Sequence, residues 1–339
     1  MEKGQGTQLD DWRVYNGEPK EAYAIMFHHF HHSGTKPYGQ GSITAEDFRE
    51  MLDYINSKKE NRILNALEFA SLHEKGQLKP WHVCLTFDDN LSCQFQVAYP
   101  VLEEINLKAF FFVYTCVYEK TIEKLEAYKY FQAKYFDTID DFYQSFFAKV
   151  KQIPGKEKEM TDHLDSEACK MFRKEIPFYS INDRKFRYLR DIVLGNDFFF
   201  EIITNMMVAK SYSPYEHLEA GEIWMTQNML RKLNEKGHVV GLHSSSHHTS
   251  MDLLSIEKQK KEYLKNMTSI KTMFEPKIWA MSHPLGKYND NSLQVLQDLG
   301  IHIGFTTKQT HGQTAFEIPR IDHAIIQKAI VQKKTLLHR

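Results

Sequence analysis

The stretch TFDDN, residues 86–90, ends a short apolar run on two adjacent carboxylates, Asp88 and Asp89. The run contains Leu85 and Phe87 and has the length of a buried β-strand. A buried strand gains no stability from two charges at its end, because ionised carboxylates are costly to remove from water. A strand-end aspartate is also common as a helix N-cap or a polar rim residue. The pair is therefore a candidate functional site whose meaning depends on its neighbours.

The segments around TFDDN alternate between strand and helix patterns. Strands are predicted at residues 22–27, 81–87, 108–115, 238–243, 278–282 and 301–306. Helices are predicted at residues 44–55, 94–105, 225–237, 255–274 and 291–300, the first of them with Thr44 as N-cap and Asp47 three residues later. Such alternation implies parallel strands joined by right-handed crossovers. The predicted fold is an α/β protein, a (β/α) barrel.

One segment, residues 118–219, is far longer than an ordinary connection between a strand and a helix, which has about 2 to 6 residues. Apolar residues recur there at steps of three or four with lysines and acids between them, which predicts amphipathic helices. The chain is thus divided into three parts. Residues 1–117 form the first part of the barrel, 118–219 a mainly helical insertion, and 220–339 the second part.

The overall composition favours a soluble protein whose function lies in a local site. Of its 339 residues 42% are hydrophobic, and 43 basic residues balance 44 acidic ones to a net charge of −1. This balance gives no electrostatic reason to expect nucleic acid as a partner. The apolar runs are much shorter than the roughly 18 residues of a membrane span, and the polar start does not resemble a signal peptide. A cytoplasmic location and buried, reduced cysteines are expected.

The strand predicted at 238–243 also ends on a potential ligand. His243 is followed four residues later by His247 in the string HSSSH. This spacing lets two imidazoles face one ion, and one carboxylate of the TFDD pair would complete a three-ligand site with an open position for water. Because the chain has 17 histidines, the same spacing can also arise by chance.

Two further strings follow predicted strands. MSHPLGKYND contains Pro284 and Gly286, which can hold a rigid turn that presents a backbone N–H to a ligand. The alternative is an ordinary loop. EIPRIDH ends the last apolar strand on Arg320, Asp322 and His323, which are equally consistent with a surface salt bridge.

In their order along the chain, TFDD, HSSSH, HPLGKYN and PRIDH resemble the motifs of the NodB-type polysaccharide deacetylases, the fourth carbohydrate esterase family. The resemblance extends over residues 22–117 and 220–325, and AIMFHHF is similar to the first strand of the family. It implies a distorted (β/α) barrel, resembling a TIM barrel. It also implies a hydrolase of linear amide bonds that removes acetyl groups from N-acetylated sugars with a bound divalent metal, usually zinc.

Carried over to this chain, the resemblance implies that Asp89, His243 and His247 bind the metal and that Asp88 is the general base. One carboxylate would anchor the cation, and its neighbour would take a proton from the water that the metal activates. An oxygen and two nitrogens suit zinc and also accept cobalt or nickel, but not magnesium alone. Asn90 replaces the usual glycine after the aspartate pair, which is expected to alter only the turn.

The resemblance also implies roles around this centre. The backbone N–H of Leu285 would hold the oxyanion, and His323 would protonate the leaving amine, although no acidic partner for it is evident. His283 stands where many members have an arginine that orients the base, so that role falls to His283 itself or to Arg320. His28 resembles a first-strand histidine that lines the pocket, and a structural hydrogen bond is an equal alternative.

The insertion and the polar amino terminus together indicate which substrate to expect. A cover over the catalytic face would close a groove into a pocket, so a small saccharide, nucleotide-linked or lipid-linked and used in surface-glycan synthesis, is expected. Arg187 and Arg190 would receive a phosphate, and the aromatic residues of the insertion would stack on rings or form its own core. Two alternatives remain open: a catalytically inactive saccharide-binding barrel, and a hydrolase of an O-acyl ester or a non-sugar amide. The sequence makes no prediction about oligomeric state.

Overall fold

The computed structural model describes residues 21–35, 41–57, 62–174, 180–308 and 312–337. The expectations drawn from the amino-terminal residues 1–20 lie outside these ranges. No helix among the described residues is both long and apolar enough to cross a membrane.

Eight parallel strands form one sheet that nearly closes into a barrel. They are β1 (Tyr23–Phe27), β2 (Arg62–Ile63), β3 (His82–Phe87), β4 (Phe110–Val113), β5 (Val239–Leu242), β6 (Ala280–Ser282), β7 (Ile303–Phe305) and β8 (Arg320–Asp322). The strand order is β7-β6-β5-β4-β3-β1-β8, with β2 also paired to β3. A bridge between Phe305 and Ile318 links β7 to the residues just before β8 and so connects the two edges. The predicted distorted (β/α) barrel is confirmed.

Fourteen α-helices are described along the chain. They are α1 (Ala45–Asn56), α2 (Ala66–Glu74), α3 (Tyr99–Glu104), α4 (Lys124–Tyr135), α5 (Ile139–Lys151), α6 (Glu157–Asp165), α7 (Glu167–Met171), α8 (Ile181–Tyr188), α9 (Gly195–Ala209), α10 (Pro214–Glu219), α11 (Gln227–Glu235), α12 (Ile256–Phe274), α13 (Asp290–Asp298) and α14 (His323–Leu337). Thr44 caps α1 in a reciprocal capping box with Asp47, as the sequence predicts. The helix predicted at 94–105 is split, because Gln94–Ala98 forms a π-helical turn before α3.

The chain forms two compact units. The first comprises the residues up to Glu123 together with those from Leu218 onward, and it contains the barrel. The second comprises Lys124–His217 and is helical. In the second unit, Tyr128, Tyr143 and Phe146 are buried, so these three aromatic side chains belong to the unit's own core, the alternative that the sequence left open.

The interior of the barrel is apolar, and every residue of β1, β3, β4 and β5 is buried. Parallel strands buried on both faces read as continuous apolar runs, as these segments do. The four cysteines are buried, as expected.

The register of the sheet brings several strand ends to one edge. Phe87 at the end of β3 pairs with Phe27, and Asp322 at the end of β8 pairs with Met26. Leu242 at the end of β5 pairs with Met281 in β6. The polar residues that follow β3, β5, β6 and β8 therefore converge at the carboxyl edge, where variable loops meet on a rigid scaffold.

Candidate metal centre

The carboxyl edge of the barrel brings Asp89, His243 and His247 together. One potential ligand atom from each residue lies within 4.8 Å of the other two. Asp89 Oδ1 is 3.4 Å from His243 Nε2 and 3.3 Å from His247 Nε2, and the two rings have centroids 5.1 Å apart. The three side chains named by the sequence thus form one cluster that could hold a metal ion.

The loops that carry these ligands are strained. Asp89 has φ 76°, Asn90 φ 58°, Ser244 φ 59° and His247 φ 53°. A positive φ is uncommon for residues other than glycine, and aspartate and asparagine adopt it more readily than most. Such strain costs about 1 to 3 kcal/mol per residue and concentrates at functional sites. Asn90 also shows why a glycine is suited to its position, because this backbone conformation is free of steric cost only for glycine.

His243 is held by hydrogen bonds at both its backbone and its ring. Its ring Nδ1 lies 2.9 Å from the carbonyl oxygen of Ser282, and its backbone N–H donates to Asn266 Oδ1 at 3.0 Å. A carbonyl oxygen only accepts, so Nδ1 carries the proton and Nε2 keeps the lone pair that a metal requires. The buried Asn266 side chain also donates to the carbonyl oxygen of Val113 at 2.9 Å, which ties α12 to the end of β4.

His247 has different neighbours. Its ring stacks on Tyr114, with centroids 5.2 Å apart and planes inclined by 26°. Its Nδ1 is 4.0 Å from Glu123 Oε1. The side chains beside the His247 ring thus come from the region that follows β4. The His243 ring, by contrast, meets a backbone carbonyl oxygen.

Asp88, beside this cluster, is enclosed by a buried arginine. Arg320 Nη1 donates to Asp88 Oδ1 at 2.8 Å, and Arg320 Nη2 forms an ion-pair contact with Asp88 Oδ2, also at 2.8 Å. Ser282 Oγ donates to the same Oδ2 at 3.2 Å. Burial raises the pKa of Asp88, but the charge of Arg320, aided by His243, outweighs it and leaves the pKa below its usual value. The carboxylate is therefore ionised at neutral pH.

Asp89 Oδ1 is buried and, among the described residues, accepts no hydrogen bond of good geometry. A buried carboxylate oxygen without such a bond is costly, whereas a cation would satisfy it. Burial raises the pKa of Asp89, but His247 and His243 together hold it well below its usual value. The orphaned oxygen and the two Nε2 atoms form a donor set that fits a divalent cation.

The two residues considered for orienting the base are placed differently. Arg320 contacts Asp88, while the His283 ring Nε2 meets the carbonyl oxygen of Phe316 at 3.0 Å and the ring stacks on Tyr288. Burial lowers the pKa of His283 to about 3, so its imidazole is neutral and carries no charge with which to pair Asp88. Arg320 is thus the cation that holds the carboxylate.

Leu285 lies in a 3₁₀ turn that follows β6. Its φ of 50° and ψ of 16° are left-handed, and its side chain is 55% exposed. Within the described ranges its backbone N–H donates no hydrogen bond, although the amides of Gly286 and Lys287 close the turn. This geometry is compatible with an N–H directed at a ligand.

The other two candidate histidines lie at the ends of strands. His28 follows β1, and its Nε2 is 3.9 Å from Asp89 Oδ2. Burial lowers the pKa of His28, although Asp89 and Asp88 oppose the effect. His323 begins α14, where its Nε2 meets the carbonyl oxygen of Gly41 at 2.8 Å, and its Nδ1 is 3.5 Å from Asp322 Oδ1. Asp322 is thus the nearest acid to His323.

Arg187 and Arg190 belong to the helical unit. Arg187 lies in α8, and Arg190 lies in the π-helical turn that follows it. Arg190 pairs with Asp191, with Nε 2.6 Å from Oδ1. Both guanidinium groups oppose the rise that burial causes in the pKa of Tyr128.

Sequence reasoning missed several residues that hold the site. Ser282 contributes both its hydroxyl to Asp88 and its carbonyl oxygen to His243. Gln94 Nε2 donates to the carbonyl oxygens of Asp88 and His28, at 2.5 and 3.0 Å. Ser282 had a usable signal, because it is the last residue of an apolar strand, whereas Gln94 and Asn266 lie in helical patterns with other polar residues.

Comparison with known proteins agrees with the fold. Residues 198–304 match the family model of the polysaccharide deacetylases, a segment that contains His243 and His247 but not Asp88 and Asp89. No curated protein matches the sequence.

Two solved structures are similar in fold. The deacetylase PplD of Streptococcus pyogenes, in complex with acetate, has a TM-score of 0.50 at 16% identity, covering 90% of this chain and 92% of that chain. IcaB from Ammonifex degensii has a TM-score of 0.53 at 14% identity, covering 92% and 97%. With the family match and the motif order, these findings confirm the resemblance to the NodB-type polysaccharide deacetylases. The family match over residues 198–304 indicates a hydrolase of the class that acts on linear amide C–N bonds.

Proposed function

We propose that this chain is a metal-dependent hydrolase that removes the N-acetyl group from an amino sugar. The observation that carries the proposal is the pairing of two sites at one barrel edge. Asp89, His243 and His247 offer three converging ligand atoms, and the adjacent Asp88 is held as an anion by Arg320. An anion that is not itself a ligand, next to a cation site, is what general-base hydrolysis requires.

Asp89 Oδ1 and the Nε2 atoms of both histidines would hold the ion. Two imidazole nitrogens and one carboxylate oxygen suit Zn²⁺, with Co²⁺ or Ni²⁺ as substitutes, and are a poor match to the all-oxygen preference of Mg²⁺. When bound, a divalent cation supplies Lewis-acid activation of water and of the acyl carbonyl.

The remaining steps belong to residues of the chain. Asp88 Oδ2 is the carboxylate oxygen 3.9 Å from His243 Nε2, and it would take the proton of the attacking water. Arg320 and Ser282 keep that carboxylate in one orientation. The Leu285 N–H would donate to the oxyanion. His323 would return a proton to the leaving amine, with Asp322 as its acidic neighbour.

For the substrate we propose a small N-acetylated saccharide, nucleotide-linked or lipid-linked. The reason is the point of insertion, since residues 118–219 leave the barrel directly after β4, whose carboxyl end adjoins that of β3. On this proposal the inserted segment limits access by long polymers. Arg187 and Arg190 would contribute positive charge for a phosphate.

Metal content and acetate release test the proposal together. Purified protein should hold about one ion per chain, and a His243→Ala, His247→Ala double variant should lose it. Acetate release is then measured on N-acetyl sugars, nucleotide-linked N-acetyl sugars, chitin-like polymers and O-acetyl esters, and formate release on formamides. Metal retained by the double variant would contradict the site, and a metal-loaded protein with no hydrolysis would favour an inactive saccharide-binding barrel.

A further inference from the structure

The two candidate histidine ligands differ in what fixes their rings. His243 follows β5 directly, and its Nδ1 meets the backbone carbonyl of Ser282. His247 lies four residues farther on, in a loop that is held at Ser245, whose carbonyl oxygen accepts from the amides of Thr115 and Cys116 at 3.1 and 2.8 Å, and at Ser246, whose amide and hydroxyl donate to Glu262 Oε2 at 2.9 and 3.0 Å. A ligand on such a loop needs side-chain support, because ligand geometry must hold to a fraction of an ångström.

Tyr114 supplies a rigid surface for the His247 ring. The two rings stack with their planes inclined by 26°. Tyr114 is fully buried, and its hydroxyl oxygen accepts a hydrogen bond from Trp224 Nε1 at 2.6 Å. Trp224 is also fully buried and forms a β-bridge with Leu91, two residues after Asp89. Trp224 and Tyr114 therefore connect the loop that carries Asp89 to the ring of His247.

Glu123 places a carboxyl group beside Nδ1 of His247. Its Oε1 lies 4.0 Å from His247 Nδ1, a distance that gives an electrostatic contact rather than a direct hydrogen bond. A carboxylate on that side of the ring favours the proton on Nδ1 and leaves the Nε2 lone pair toward Asp89. Glu123 is buried with 9% exposure and belongs to none of the sequence motifs.

We infer that Tyr114 and Glu123 are positioning residues for His247: the first sets the plane of the ring and the second favours the tautomer with the proton on Nδ1. This inference rests on the proposed metal-dependent function. Outer partners of metal ligands typically contribute about 10- to 100-fold to metal affinity.

The barrel provides a matched control at the amino end of β5. There His238 packs against Tyr99, with ring centroids 5.6 Å apart, and its Nε2 is 3.6 Å from Glu103 Oε1. The same two residue types, a tyrosine and a glutamate, thus contact a histidine that is not part of the candidate metal site. Tyr99→Leu and Glu103→Gln therefore reproduce the chemical changes of Tyr114→Leu and Glu123→Gln away from the ligands.

The experiment measures Zn²⁺ affinity by competition with a chromophoric chelator for the wild type, these four variants and Tyr114→Phe. Tyr114→Leu and Glu123→Gln should each raise the Zn²⁺ Kd about 10- to 100-fold. Tyr114→Phe, which keeps the ring, should stay closer to the wild type. The visible spectrum of the Co²⁺-loaded protein should change in Tyr114→Leu, because the ligand geometry changes. Thermal unfolding of the metal-free proteins shows whether each variant folds.

The outcomes separate the two proposals. A wild type that binds no Zn²⁺ contradicts the proposed function itself. If the wild type binds one ion and the Zn²⁺ Kd values of Glu123→Gln and Tyr114→Leu stay within twofold of the wild-type value, the positioning role alone is overturned. The same conclusion follows if Tyr99→Leu and Glu103→Gln lose as much Zn²⁺ affinity as these two variants. In a His247→Ala background, Glu123→Gln should have no further effect on the residual affinity. Should Tyr114→Leu fail to fold, the Zn²⁺ Kd of the near-isosteric Glu123→Gln variant tests the positioning role.

Discussion

Asp88 and Asp89 are neighbours in the chain, yet they lie in opposite environments. Asp88 is surrounded by donors, with Arg320 and Ser282 on its two oxygens. Asp89 faces two imidazoles, and its Oδ1 accepts no hydrogen bond of good geometry within the described parts of the chain. The backbone produces the difference, because Asp89 has a φ of 76° and turns away from the direction of β3.

This contrast indicates how one strand end can serve two roles. A carboxylate that already has a fixed cation gains little from a metal, so Asp88 is suited to handle a proton. A carboxylate with an unsatisfied buried oxygen gains much from one, so Asp89 is suited to bind the ion. The two roles predict that the same Asp→Asn change will have different consequences at adjacent positions.

The largest effect is expected for Asp89→Asn. The amide has one carbonyl oxygen and no negative charge, so the site loses its only anionic ligand. Bound Zn²⁺ should fall from about one ion per chain toward none, with hydrolysis at background. Elemental analysis after gel filtration measures this, with Asp53→Asn on the exposed side of α1 as a control. Full metal occupancy in Asp89→Asn would remove the distinction between the two carboxylates.

Asp88→Asn should keep the metal and lose turnover. An amide cannot take a proton from water, and general-base catalysis typically contributes about 10²- to 10⁴-fold. The readout is kcat for acetate release together with metal content in the same preparation. Unchanged kcat would make Asp88 a structural residue, and lost metal would make it a ligand.

Arg320→Gln should act chiefly on stability. It leaves Asp88 as a buried charge without its partner, and breaking a buried ion pair in this way costs about 3 to 5 kcal/mol. Urea unfolding of the metal-free protein measures the loss. The double variant Arg320→Gln, Asp88→Asn should be less destabilised than the sum of the two single variants, because the unpaired charge is gone. Additive losses would show that the ion pair is not the stabilising element.

The smallest effect is expected for the pair Arg187→Ala, Arg190→Ala, which lies in the helical unit. Metal content should not change, because neither residue belongs to the candidate cluster. Activity on a nucleotide-linked sugar should fall relative to an uncharged N-acetyl sugar, measured as the ratio of the two kcat/KM values. Equal activity of the wild type and the variant on both substrates would exclude a phosphate-binding role for these arginines.

Much of the barrel could be predicted because its strands carry continuous apolar runs and its helices carry caps, as Thr44 does. Three elements of the barrel were missed, the first of them β2, which has only two residues. Helix α2, ALEFASLHE, has no clear separation of polar and apolar faces, and α14 starts at His323, at the end of the last motif.

The site was predictable as a set of strand-end residues but not as a set of contacts. The sequence left His283 and Arg320 as equal candidates to orient Asp88, and the side-chain contacts of the folded chain decide between them. Ala24 pairs with Arg320 in β8, and β1 also pairs with β3, which ends beside Asp88. The partnership of Tyr114 with Trp224 joins positions 110 residues apart and leaves no local pattern in the sequence.

The central claim is that Asp89 binds the ion and Asp88 does not. A crystal structure of the Zn²⁺-loaded protein, with anomalous data collected on both sides of the zinc absorption edge, tests it directly. The account predicts one anomalous peak about 2.0 to 2.2 Å from Asp89 Oδ1, His243 Nε2 and His247 Nε2, with Asp88 still paired to Arg320. A peak that is coordinated by Asp88, or that lies away from this cluster, would contradict it.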